Sequence, residues 1–125
     1  MRDYQSLEAW REARTTCLAV IGLSREHWKP WASALFGQLQ RASLSVQLNI
    51  AEGATYGDSP TFTRFLGIAY GSAVETGNLI ELMSDSGALP GSAAADLLAH
   101  SRRCQRLLIG MLKRRRPFDI PASRR

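Results

Sequence analysis

Side chains able to do chemistry are few in this 125-residue chain, and they are scattered. Glu52 and Glu75 sit inside apolar helical patterns, and two carboxylates are the raw material of general acid–base catalysis. Cys17, Cys104, His27 and His100 stand apart from one another and fall short of any recognisable zinc-ligand spacing. No metal or cofactor is expected. The concentrated feature is cationic. Residues 101–125 carry nine Lys/Arg against Asp119 alone, whereas residues 1–100 carry seven against ten acids, so the net +5 combines a mildly acidic body with a strongly basic end. Arg102, Arg103, Arg106, Lys113, Arg114, Arg115 and Arg116 make that end a candidate nucleic-acid-binding surface. At about 100° per residue, Arg102, Arg106, Lys113 and Arg116 share a sector of about 80°, with Arg103 and Arg114 flanking it. A guanidinium fork matches phosphate oxygens well. The competing reading is a solvated face, since cations are favoured at a helix C-terminus in any case. No aromatic residues interleave with these cations, which argues against a reader of single-stranded bases.

The elements that would position these groups are helices. Leu7, Trp10, Ala13, Cys17 and Ile21 recur at steps of three and four, predicting a first helix over about 5–23, stopped by Gly22 and the polar Ser24–His27 stretch. Trp28 and Trp31 flank Lys29-Pro30 and are expected to fold back over the end of the bundle. A second helix, over about 31–54, has Leu35, Leu39, Ala42, Val46 and Asn49 as its stripe, with Leu44 and Leu48 off it. Ser59 as N-cap and Pro60 in the first turn start a third, over about 59–86, closed by Gly87. Gly67, Gly71 and Gly77 inside it imply close approach of a neighbour, because each costs about 1 kcal/mol of propensity. Ser92 can cap a fourth helix, over about 93–115. No segment alternates as a strand would. The fold class is all-α, an antiparallel up-down-up-down four-helix bundle over residues 1–117, with residues 118–125 a basic, disordered tail. Both cysteines fall within helical patterns and read as reduced core thiols.

Antiparallel packing of the second and third helices around Gly57–Pro60 keeps facing positions at a nearly constant index sum. Arg41 with Glu75 and Glu52 with Arg64 share one such sum, so both are predicted as cross-helix ion pairs. Asn49 and Ser72 are candidates for buried hydrogen bonds. The same register sets Glu52 and Glu75 too far apart along the hairpin to cooperate as an acid–base pair, so no catalytic residues are assigned. Two apolar stripes on one helix need two covering partners. Leu44, Leu48, Phe65, Ile68 and Leu79 are therefore expected to form an oligomer interface.

Gln40-Arg41-Ala42, Asn49-Ile50-Ala51-Glu52-Gly53, Phe65-Leu66, Ile68-Ala69, Gly71-Ser72 and Glu75 together resemble the 23S rRNA intervening-sequence family, and the likeness runs from about Leu7 through Pro117. The resemblance implies a cytoplasmic four-helix bundle, assembled as a homopentamer, with no enzymatic activity. The accessory proteins of diversity-generating retroelements are similar in fold; there a basic pentamer assists a reverse transcriptase and contacts nucleic acid. Many family members carry a basic residue near the turn after the glycine, where this chain has Ala54-Thr55-Tyr56.

Two functions follow as expectations. One is a homo-oligomer that binds RNA or DNA through the fourth helix; the other is an interaction scaffold for a protein such as a polymerase or ribosomal factor. No apolar run approaches the ~18 residues of a membrane span. Met1-Arg2-Asp3-Tyr4 is no signal peptide. A cytoplasmic protein without a membrane partner is expected.

Overall fold

The computed structural model describes Tyr4 and residues 7–115. Four α-helices account for most of them: α1 (Glu8–His27), α2 (Ser33–Ala54), α3 (Pro60–Asp85) and α4 (Gly91–Lys113), with a short 3-10 turn, Pro30–Ala32, before α2. Helices consecutive in sequence pack on one another, and α1 closes the ring against α4. Contacts between helices give their directions. Ser45 meets Ser72 and Gly53 meets Phe65, so α2 and α3 run antiparallel. Glu8 reaches Arg103 while Glu12 reaches His100, so α1 and α4 do too. The bundle is all-α, as its sequence patterns predict.

Local chemistry explains most helix ends. Ser59 lies in the extended region and its hydroxyl accepts from the Phe62 N–H at 3.2 Å, with Pro60 at the first helical position. Gly87, at φ +82°, takes the left-handed position after α3 that a side chain would resist, and Gly57 does the same at φ +67° in the α2–α3 turn. Two ends differ from expectation. Helix α1 continues through Ser24–His27, because Gly22 meets no obstacle and only the residues around Pro30 force the backbone out of helix. Helix α4 starts at Gly91 rather than being capped by Ser92; Pro90 holds the N-cap position, and its carbonyl accepts from Ala94 N–H at 2.9 Å. The expected start of the first helix at Gln5 and the expected tail lie outside the described residues.

The core divides into two clusters. One gathers Val46 and Ile50 from α2, Phe62 and Leu66 from α3, and Leu108 and Leu112 from α4 around the α2–α3 turn. The other, at the opposite end, is built from Val20, Phe36, Leu39, Ile80, Met83 and Leu97. Burying such a side chain is worth about 1.5–3 kcal/mol, so these two groups hold the helices together. Between them lies a layer of small hydroxyls. Thr16, Ser43, Thr76 and Ser101, one per helix, line a cavity of about 10 Å³ together with Cys104, at the lower limit for a single water. Three of the four bond within their own helix: Thr16 to Glu12 O, Ser43 to Gln40 O, Thr76 to Ser72 O. Ser101 crosses to Ala73 O.

The stripe expected on α1 is off by one position at its far end. Ile21 is 49% exposed, while Val20 and Ser24 turn inward. Trp28 and Trp31 do not fold back over the bundle either; they are 54% and 62% exposed. Lys29 takes that place, its Nζ donating to Ala88 O at 2.6 Å and lying 5.5 Å from the Phe36 ring centroid. The site beneath is already filled by Ala32, Ala88 and Leu89, leaving no apolar gap for an indole.

Candidate functional site

The two proposed ion pairs inside the hairpin are absent. Arg41, Glu52, Arg64 and Glu75 are all exposed, and no salt bridge among the described residues joins any two of them. Their heights along the bundle agree with expectation, because Ser45 lies level with Ser72 and Gly53 with Phe65. The error is angular. The seam between α2 and α3 is occupied by the Ser45–Ser72 hydroxyl pair at 2.8 Å, and the four charges point outward from its flanks. Asn49 and Ser72 do join a hydrogen-bonded set, through Ser45: Asn49 Nδ2 donates to Ser45 O at 2.8 Å and to Ser45 Oγ at 3.0 Å. Ser45 is the member that pattern reading missed.

Gly53 has a role its motif did not reveal. A Cβ there would stand 2.6 Å from Phe65 Cβ and 2.9 Å from Phe62 Cδ1, so α2 and α3 touch at this glycine. Gly77 is the milder case on the α3–α4 side, where a Cβ would sit 3.1 Å from Gln105 Nε2.

The seven candidate nucleic-acid-binding cations fall into distinct groups. Arg106, Lys113 and Arg114 are exposed and make no ion pair among the described residues. Arg102 lies 3.8 Å from Glu81, both more than half exposed, an arrangement that holds an arginine weakly. Arg103 is tied into the α1–α4 seam, 2.6 Å from Glu8 and 3.4 Å from Glu12. Glu12 also accepts from His100 Nδ1 at 2.6 Å. Arg115 is committed elsewhere: its guanidinium bonds Thr63 Oγ1 and Asp58, and packs 4.8 Å from the Phe62 ring centroid. It pins the end of α4 to the α2–α3 turn. Arg116 lies outside the described residues.

Of the expected interface residues, Leu44, Leu48 and Ile68 are 48%, 54% and 41% exposed. Phe65 is half-buried and stacks on Tyr56, centroids 5.6 Å apart. Leu79 is half-buried against the second core cluster. Every large apolar residue that is exposed lies on α1, α2, α3 or their connections, and none on α4 among the described residues.

Both cysteines are free and buried. Burial pushes the Cys104 thiol up to about 12, with Glu12 and Cys17 adding to the effect. Burial raises Cys17 too, against the opposing hydrogen bond to Ser43. Neither is poised as a nucleophile. Glu52 and Glu75 lie about 14 Å apart along the helices, by the register above. No group of three His, Cys, Asp or Glu among the described residues stands close enough to hold a metal ion. No described helix is long and apolar enough to cross a membrane.

The fold and its surface define a helical bundle with one basic helix and a girdle of exposed apolar side chains on the other three. Residues 5–110 match the family model described as 23S rRNA-intervening sequence protein, and the chain belongs to that family. Among solved structures it is similar to a protein of unknown function from the S23 ribosomal protein family of Bacteroides thetaiotaomicron. The two share 20% identity and a TM-score of 0.75, over 84% of this chain and 98% of the other. No curated protein matches the chain.

Proposed function

We propose that this protein is a non-catalytic homo-oligomer, a pentameric ring as the resemblance implies, that binds nucleic acid through α4. One observation carries the reading: among the described residues, Arg106, Lys113 and Arg114 stand exposed and without an ion-pair partner on the one helix that shows no exposed large apolar side chain. An assembly joined through the apolar girdle around α2 leaves α4, diagonally across the bundle, on the outside. Each copy adds its own cations there, and avidity multiplies them. Phosphate contacts of this kind position a protein without reading sequence.

The test is fluorescence anisotropy with RNA and DNA duplexes across a salt series. Three phosphate contacts per copy give a log–log slope of about −2.7, so a four-fold rise in salt weakens each docked copy about 40-fold. Replacing Arg106, Lys113 and Arg114 by alanine removes that slope. Equal binding by the variant, or no binding by the native protein at low salt, ends the proposal. Exposed Trp28 and Trp31 favour a second reading, a scaffold for a protein partner. A partner that co-purifies after nuclease treatment and is lost with Trp28→Ala and Trp31→Ala would support it.

A further inference from the structure

The four charges left unpaired on the α2–α3 hairpin form an ordered set. Along α2 an exposed ridge reads Arg41, Leu44, Leu48, Glu52: a cation, two apolar side chains, an acid. Along α3 at the same heights a second ridge reads Glu75, Ile68, Arg64: an acid, an apolar side chain, a cation. The level contacts Ser45–Ser72 and Gly53–Phe65 fix this register to within about one residue. Within one chain the ridges diverge on either side of the seam and cannot meet. A rotation about an axis parallel to the helices carries one copy onto the next without changing any height. It therefore sets the α2 ridge of one copy opposite the α3 ridge of another with every charge facing its opposite.

We infer that the α2 ridge docks on the α3 ridge of a second copy, with Arg41 pairing Glu75 and Glu52 pairing Arg64 between copies. The inference rests on the self-assembly proposed above and names the joint. Leu44, Leu48 and Ile68 supply the dry centre, and the charges close it at both ends, fixing alignment and excluding a joint slipped along the helices. The pairing holds for any assembly whose symmetry axis runs along the bundle. It turns four solvent-facing charges and three exposed apolar side chains into one surface with one purpose.

Sedimentation velocity on the full chain tests this with charge reversals. Arg41→Glu and Glu75→Arg should each weaken association on the order of 100-fold by setting like charges face to face. The double variant Arg41→Glu/Glu75→Arg should restore it. Glu52→Arg and Arg64→Glu repeat the test at the other end of the joint, in case a reversal at the first disturbs folding, which circular dichroism reports. An assembled native protein indifferent to single reversals, or a double variant that stays dissociated, overturns the inference and leaves self-assembly standing. A native protein that is monomeric at micromolar concentration removes both.

Discussion

Gly53→Ala is the sharpest perturbation this fold offers, because the added methyl has nowhere to go. Its ideal position lies 2.6 Å from Phe65 Cβ and 2.9 Å from Phe62 Cδ1, whereas carbon atoms pack comfortably at about 3.5–4.0 Å. Phe65 Cβ is one bond from the α3 backbone and cannot swing aside, so the helices must part by about 1 Å at this level. Overpacking of this kind costs about 1–3 kcal/mol, and alanine returns about 1 kcal/mol of helix propensity. The net is a loss of up to about 2 kcal/mol, or up to about 10 °C in Tm for a chain of this size. Gly22 and Gly37 are the internal controls. A Cβ at either meets nothing within 4 Å, so alanine there should stabilise by up to about 1 kcal/mol. Thermal unfolding followed by circular dichroism at one fixed protein concentration reads all three. If Gly53→Ala rises in Tm along with Gly22→Ala and Gly37→Ala, the close-approach reasoning is wrong.

Two further outcomes follow from described contacts. Arg115→Ala should cost about 1–2 kcal/mol, mostly through Thr63 and Phe62 because the direct pair with exposed Asp58 is screened by solvent; hydrogen exchange should show faster opening of the last turn of α4, and unchanged protection would refute the pin. Cys104 has its thiol raised from 9.0 to about 12 by burial. Between those values the unfolded chain has released a proton that the folded chain keeps, so stability falls as pH rises, by up to about 1.4 kcal/mol per unit. Urea unfolding across that window should show a shallower alkaline decline in Cys104→Ala, and identical slopes would count against the burial argument.

Local rules made much of the fold readable from sequence. Ser59 and Pro60 begin α3, and Gly87 closes it, because capping chemistry is decided within a few residues. Spacing also gave the height at which α2 faces α3. Spacing could not give the angle at which Arg41 and Glu75 leave their helices, and Ser45 with Ser72 holds the seam they were expected to fill. Arg115 was counted among the candidates for its charge alone; it lies off the sector shared by Arg102, Arg106 and Lys113, and it turns inward onto Phe62 just past the end of α4 at Lys113. The partners of Arg102 and Arg103 come from α3 and α1, which no pattern within α4 could name. Trp28 and Trp31 were expected over the bundle end because indoles are unusual in a solvated connection, but Lys29 covers that end and both rings stay exposed.

The hydroxyl layer across the middle of the bundle gives the interior a bulkhead. Large apolar side chains give way there to Thr16, Ser43, Thr76 and Ser101, one from each helix. Truncating Phe62 or Leu66 should therefore leave hydrogen-exchange protection around Phe36 and Met83 largely unchanged, and equal loss at both ends would refute the division.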